Sequence, residues 1–216
     1  AQDSATLNIE NTLNIISNKY GITIWDDAIV NMRGNITING DGYGISGNGG
    51  EESNTQINVF GNIKAPNGAA IYHPQTGTLN INGGKLTADT VIGVKAGTIN
   101  VFDGTLTATG DKQTPVKKDN GFYLTGDAIY IEENDKYKDN IIINVYGGTL
   151  TSTNGYTIQE FNTTINTENE LTSIVNGNYS FKYAIGDNLF VYTNYIGNVV
   201  ETEDTKFNQE NLTITY

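Results

Sequence analysis

Two rows of aromatic residues carry the side chains best suited to holding a ligand. Trp25, Ser46, Tyr72, Lys95, Tyr130 and Gln159 fall at matching places in a repeated pattern, with His73 beside Tyr72. Arg33, Phe60, Asn82, Phe102 and Tyr146 fall at another matching place. Flat ring faces at regular intervals can stack on sugar rings, while Asn, Gln and Lys supply hydrogen bonds. The expected ligand-binding set is Trp25, Tyr72, His73, Lys95, Tyr130 and Gln159; Phe60, Asn82, Phe102 and Tyr146 form a second candidate face. The competing reading of both rows is that the rings stabilise the structure by stacking on one another.

Catalytic groupings are sparse. One histidine and no cysteine exclude a thiol nucleophile and any zinc site built from several imidazoles or thiolates. Asp26-Asp27 is the acid pair considered for hydrolysis, which needs two carboxyls ~5–9.5 Å apart around one glycosidic bond. One repeat further on, the aligned positions hold Ser46 and Gly47, so no acid answers the pair. Arg33 and Lys95 are isolated as bases for proton abstraction. No catalytic residue is assigned, and the chain is not expected to be an enzyme. Calcium is the one cofactor left open: Glu132, Glu133, Asp135 and Asp139 in "EENDKYKDN" offer oxygen ligands, without the order of an EF-hand loop.

The charge balance narrows the partners. Twelve basic residues stand against 24 acidic ones, a net charge of −12. Such a chain repels nucleic acid and anionic membrane surfaces. By the same argument an acidic sugar polymer would be held only through a bridging cation. No apolar run approaches the ~20 residues of a membrane helix, so no membrane insertion is expected. The opening "AQDSAT" lacks the features of a signal peptide, and the chain reads as a mature fragment.

What positions these residues is a repeat. "INVFDGTLTAT" from Ile99 returns as "INVYGGTLTST" from Ile143, with three differences in eleven residues. Looser copies begin at Asn31, Asn58 and Asn80, and their marker glycines are Gly34, Gly61, Gly84, Gly104 and Gly148. A second short segment recurs between the glycines: "YGIS" at Tyr43, "AAIY" at Ala69, "VIGVK" at Val91 and "DAIYI" at Asp127. Only one such segment separates Gly104 from Gly148, so that longer interval is one coil with insertions at residues 111–125 and 132–140. The first insertion holds Lys112, Lys117 and Lys118 and is the irregularity best placed to shape a binding groove. A unit of 20–27 residues between marker glycines cannot bury its own apolar face. Stacked copies can, with strands pairing in parallel at ~4.8 Å. Leu86, Leu106 and Leu150 are then expected to point inward as one column, as are Ile57/Val59, Ile99/Val101 and Ile143/Val145.

This pattern resembles the right-handed parallel β-helix of the pectin-lyase-like superfold, from about Thr6 to Tyr192. The "GGTLT" phrasing within Asn-rich coils is similar to β-helical regions of cell-surface and secreted proteins of low-GC Gram-positive bacteria. The superfold's hydrolases carry N-T-D, D-D, G-H-G and R-I-K signatures; only the D-D has a counterpart here, at Asp26-Asp27.

The expected fold is therefore all-β. It is a single-stranded right-handed parallel β-helix, or solenoid, with three short strands per coil and about seven to eight coils. The helix is expected over residues 1–197, followed by a C-terminal cap or edge strand at 198–216. The expected function is that of a non-catalytic secreted or cell-surface module, adhesive or carbohydrate-binding, with a polysaccharide or host glycan as partner. It would be a monomer within a larger multidomain protein. The alternatives are a polysaccharide lyase or glycoside hydrolase of the pectin-lyase-like type, and a purely structural stalk segment.

Overall fold

The computed structural model of the chain describes residues 1–48, 53–111, 116–118, 121–133, 141–162, 167–169, 178–179, 181–185 and 188–192. Period-two stretches rich in Ile, Val and Thr form strands, because branched side chains fit a pleated surface and alternate between its faces. The first turn of the chain comprises β1 (Thr6–Ile9), β2 (Asn14–Ser17) and β3 (Tyr20–Ile24). The second comprises β4 (Ile29–Met32), β5 (Asn35–Ile38) and β6 (Tyr43–Gly47), and the third β7 (Thr55–Val59) and β8 (Asn62–His73). β9 (Gly77–Val94) makes the fourth by itself. Next come β10 (Thr98–Ala108), the short β11 (Val116–Lys117) and β12 (Tyr123–Leu124), and β13 (Ile129–Glu133). β14 (Ile142–Val145), β15 (Thr149–Ser152) and β16 (Ile158–Asn162) close the regular part.

Three parallel ladders bind these strands. The first runs β1-β4-β7-β9-β10-β14. The second joins β2, β5, β8, β9, β10 and β15. The third joins β3, β6, β8, β9, β13 and β16. The product is an all-β parallel solenoid of about four turns.

Two expectations need correction. Residues 6–24, 29–47, 55–73 and 77–94 make four successive turns, and the described residues do not show the seven to eight coils read from the sequence. Beyond β16 parallel stacking gives way: β17 (Thr167–Asn169) lies antiparallel on β16. β18 (Asn178–Tyr179) adds a two-residue rung, while β19 (Phe181–Ile185) and β20 (Asn188–Tyr192) pair antiparallel with each other. Period-two alternation is the same in either strand direction, so the alternation that continues to Tyr192 does not distinguish a parallel rung from an antiparallel pair. Three separate strands per turn hold for the first two turns and again for β14, β15 and β16, but not for the turns between. β9 passes through all three ladders without a break, because corner residues such as Asn82, paired with Asp103, keep their ladder partners. The expected cap at 198–216 lies outside the described residues.

The inward columns form as expected. Ile36, Ile63, Leu86, Leu106 and Leu150 stand in register, each 1% exposed or less. Ile57, Leu79, Ile99 and Ile143 form a second column, and Val59, Ile81, Val101 and Val145 a third. The direct pairing of Leu106 with Leu150 makes residues 104–148 one coil. Burying a Leu or Ile side chain contributes about 1.5–3 kcal/mol, so these columns are the main cohesive force along the axis.

The recurring asparagine has its own use. Asn31 donates to Asn8 (2.8 Å), Asn58 to Asn31 (2.8 Å), Asn80 to Asn58 (2.9 Å), Asn100 to Asn80 (2.9 Å) and Asn144 to Asn100 (2.9 Å). An amide carries both donor and acceptor, so one residue type can pair with its copy above and below indefinitely. The marker glycines stack likewise. A side chain on Gly61 would strike the Gly34 carbonyl, one on Gly84 that of Gly61, and one on Gly148 that of Gly104. Only glycine lets the corners approach this closely, and Gly84, Gly104 and Gly148 have positive φ as well.

Candidate functional site

The second candidate face is open to solvent. Arg33, Phe60 and Tyr146 follow β4, β7 and β14 and continue the first ladder: their backbone N–H groups donate to Ile9, Met32 and Val101 carbonyls, each at 2.8 Å. Their side chains therefore point outward. Phe60 is 37% exposed, Phe102 47% and Tyr146 55%. The Arg33 guanidinium lies 4.0 Å from the Phe60 ring centroid, a cation–π contact. Phe102 and Tyr146 stack at 5.3 Å with their planes 10° apart. Asn82 lies between the two couples, its amide donating to the Asn80 carbonyl at 3.3 Å. The register slips at Phe102, since Asp103 rather than Phe102 pairs with Asn82. The extra residue pushes the Phe102 side chain clear of the sheet.

The first candidate set does not form an exposed row. The third ladder pairs Thr23 with Ser46, Ser46 with Tyr72, Tyr72 with Gly93, Gly93 with Tyr130, and Tyr130 with Gln159. Trp25 and Lys95 each lie two residues outside that register. Trp25 is 42% exposed in the corner after β3, whereas Tyr72 (3%), Tyr130 (1%), His73 (0%) and Lys95 (7%) are buried. The Gln159 side chain lies outside the described residues.

The cause is the insertion. β11 and β12 pair antiparallel as a hairpin that lies over the third ladder. Its Phe122 meets Tyr43 and Tyr72 edge-on, with centroids at 5.3 and 5.2 Å and planes at 75° in both cases. Leu124 joins the same apolar cluster. Lys95 secures the hairpin's turn by donating to the Gly121 carbonyl at 2.8 Å, and it pairs with Glu132 at 2.9 Å. Side chains read as a sugar-binding row are instead the seat of a covering element. The sequence signal for this was "GFYL" at 121–124, two adjacent aromatics and a leucine inside a mostly polar segment.

His73 sits in a niche between turns. The Gln75 amide nitrogen donates to Thr55 Oγ1 (2.9 Å) and contacts His73 Nδ1 (3.1 Å). His73 Nε2 has no hydrogen-bond partner among the described residues, and the roles at the Gln75–Nδ1 contact follow the tautomer of the ring. Burial pulls the His73 pKa down to about 4, partly opposed by the Gly77 backbone, so the ring is neutral near pH 7. It does not face an external ligand.

The remaining candidates are tied down differently. Glu132 is buried against Lys95; the Glu133 side chain, Asp135 and Asp139 lie outside the described residues, as does Lys112. Among the described residues no group of three metal-ligating side chains converges. The Asp26 carbonyl accepts the Ser53 hydroxyl at 2.7 Å, and the Asp27 carboxylate accepts the Asn54 N–H at 3.2 Å. Both acids thus link one corner to the corner stacked on it. Among the described residues no helix is long and apolar enough to cross a membrane.

The geometry defines a class: a parallel β-solenoid repeat protein with an open aromatic face and a hairpin-covered face. No family model matches the chain, and neither a curated protein nor a solved structure matches it.

Proposed function

We propose that the chain is a non-catalytic, pectin-lyase-like β-helix module of a secreted or cell-surface protein, which holds a polysaccharide or host glycan along Phe60, Asn82, Phe102 and Tyr146. The observation that carries this reading is the run of exposed rings on a rigid ladder, with Phe102 stacked on Tyr146 and Arg33 on Phe60. At ~4.8 Å per turn, the four steps from Arg33 to Tyr146 span roughly 19 Å, enough for several sugar units. Exposed aromatic surface of this kind marks recognition sites more often than it occurs by chance on soluble surfaces. Cysteine-free composition and the likeness to low-GC Gram-positive surface proteins support the extracellular assignment.

A glycan array probed with and without calcium tests it. Binding should fall about tenfold or more in Phe102→Ala/Tyr146→Ala, since each aromatic contact contributes roughly 0.5–1.5 kcal/mol. Retention of no glycan, or binding indifferent to both substitutions, would leave the stalk reading. That reading is favoured by one feature: each couple already covers one face of its own rings.

A further inference from the structure

The open row on the first ladder is electrically uneven. Glu10 follows Ile9 as Arg33 follows Met32, so the outward residues in ladder order are Glu10, Arg33, Phe60, Asn82, Phe102 and Tyr146. Arg33 is the only cation of the row and the only arginine of the chain. It is exposed, and its guanidinium lies over the Phe60 ring, one turn along the axis on the side away from Glu10. Among the described residues it makes no ion pair and no side-chain hydrogen bond, so its fork of N–H donors has no acceptor.

The sign of the charge changes further along. Asp103 is exposed beside Phe102, and its carboxylate is fixed there by accepting the Gly104 N–H at 2.7 Å. Three turns, roughly 14 Å, separate it from Arg33. Between the two the surface is uncharged. Phe60 and Asn82 line it, with the Asn58 and Asn80 amides two residues back along their strands. Each of those amides uses one N–H and one oxygen lone pair on its ladder neighbours, which leaves a second of each for hydroxyl groups.

We propose, building on the glycan reading of this face, that its ligand is a neutral oligosaccharide ending in a single carboxylated sugar. The carboxylate sits on Arg33, and the uncharged units run past Asn82 towards Phe102 and Tyr146. An arginine fork takes a carboxylate through two parallel hydrogen bonds. Glu10, one turn beyond Arg33, repels an anionic chain that continues in that direction, so the acidic unit is the last one. Asp103 repels a second carboxylate at the far end, and the net charge of −12 disfavours any polyanion. A phosphate monoester, at about −1.5 to −2, carries more charge than one guanidinium beside a glutamate balances. One terminal acid held in this way needs no bridging cation.

An array of matched glycans at low salt tests it, followed by titration of the bound pairs on the whole chain. The pairs are neutral oligosaccharides of about five units, the length that the row spans, with and without one terminal sialic or glucuronic acid; oligogalacturonate is the polyanion. The acid-ended member should bind about fivefold or more tighter than its neutral counterpart, an advantage that shrinks as salt rises. In Arg33→Gln that ratio should fall to about one, and Arg33→Lys should keep only part of it. Lys64→Gln on the second ladder should keep all of it, and Asp103→Asn should strengthen binding of oligogalacturonate. Thermal melts verify that the four variants fold. Neutral glycans bound at a ratio near one would overturn this proposal and leave the glycan reading standing, as would a ratio unchanged in Arg33→Gln or tightest binding of oligogalacturonate. Retention of no glycan at all would overturn both.

Discussion

Phe122 fills the space that a side chain at residue 93 would need. Gly93 stands in the third ladder between Tyr72 and Tyr130, and a Cβ there would run into the Phe122 ring. The gap in the row of tyrosines is thus the socket of the hairpin. Gly93→Ala should force the ring out and cost about 1–3 kcal/mol, as overpacking does. Urea denaturation measures that loss, and limited proteolysis should cut faster within residues 111–125. Unchanged stability together with unchanged cleavage would mean that the hairpin is not seated on Gly93.

The asparagine ladder makes a positional prediction. Asn80 donates to Asn58 and accepts from Asn100, whereas Asn8, at the end of the ladder, accepts from Asn31. Asn80→Asp loses the donor and sets two acceptor oxygens against each other in a half-buried row, a cost of about 1–3 kcal/mol. Asn8→Asp keeps its acceptor and should change stability by less than about 0.5 kcal/mol. Equal effects in paired denaturation curves would show that the amides are not hydrogen-bonded in series.

The Lys95–Glu132 pair is almost entirely withdrawn from water, its side chains 8% and 6% exposed. Removing one partner leaves a buried charge uncompensated. Lys95→Met should therefore cost on the order of 3–5 kcal/mol, while Lys95→Met/Glu132→Gln should recover much of that loss. A double variant as unstable as the sum of the two singles would show that the groups act independently.

His73 gives the fold a dependence on pH. The unfolded chain protonates His73 near 6.5, while the folded chain holds it at about 4. Between those values the folded state binds fewer protons, so stability falls as pH drops from about 6.5 towards about 4, by on the order of 3 kcal/mol in all. Asp89 works in the opposite sense: burial raises its pKa, so its contribution weakens as pH rises through that raised value. Denaturation of wild type and His73→Gln at about pH 7 and about pH 5 isolates the histidine. A variant that keeps the full wild-type slope would place the effect elsewhere.

The solenoid was legible because its rule is local and repeated. Asn-apolar pairs, a marker glycine and Thr-Leu-Thr recur, and any stacking that buries Leu86 beneath Leu106 and Leu150 aligns the rest. The open row was legible for the same reason: Phe60 and Tyr146 follow strand ends with a shared register. The covered row was not. Tyr72 and Tyr130 have the outward phase expected of them, and phase says which side of a strand a residue takes, not what lies over that side.

By itself, then, the order of residues determined the all-β parallel architecture, the inward leucine and isoleucine columns and the single coil between Gly104 and Gly148. These depend on periodicity, and periodicity is written in the chain. Tertiary structure alone decided that an insertion folds back as a hairpin, that Phe122 meets Gly93, and that Lys95 reaches the Gly121 carbonyl. Those contacts join residues far apart in the chain with no repeat relating them. Shape and charge select them only once the stacked turns are in place.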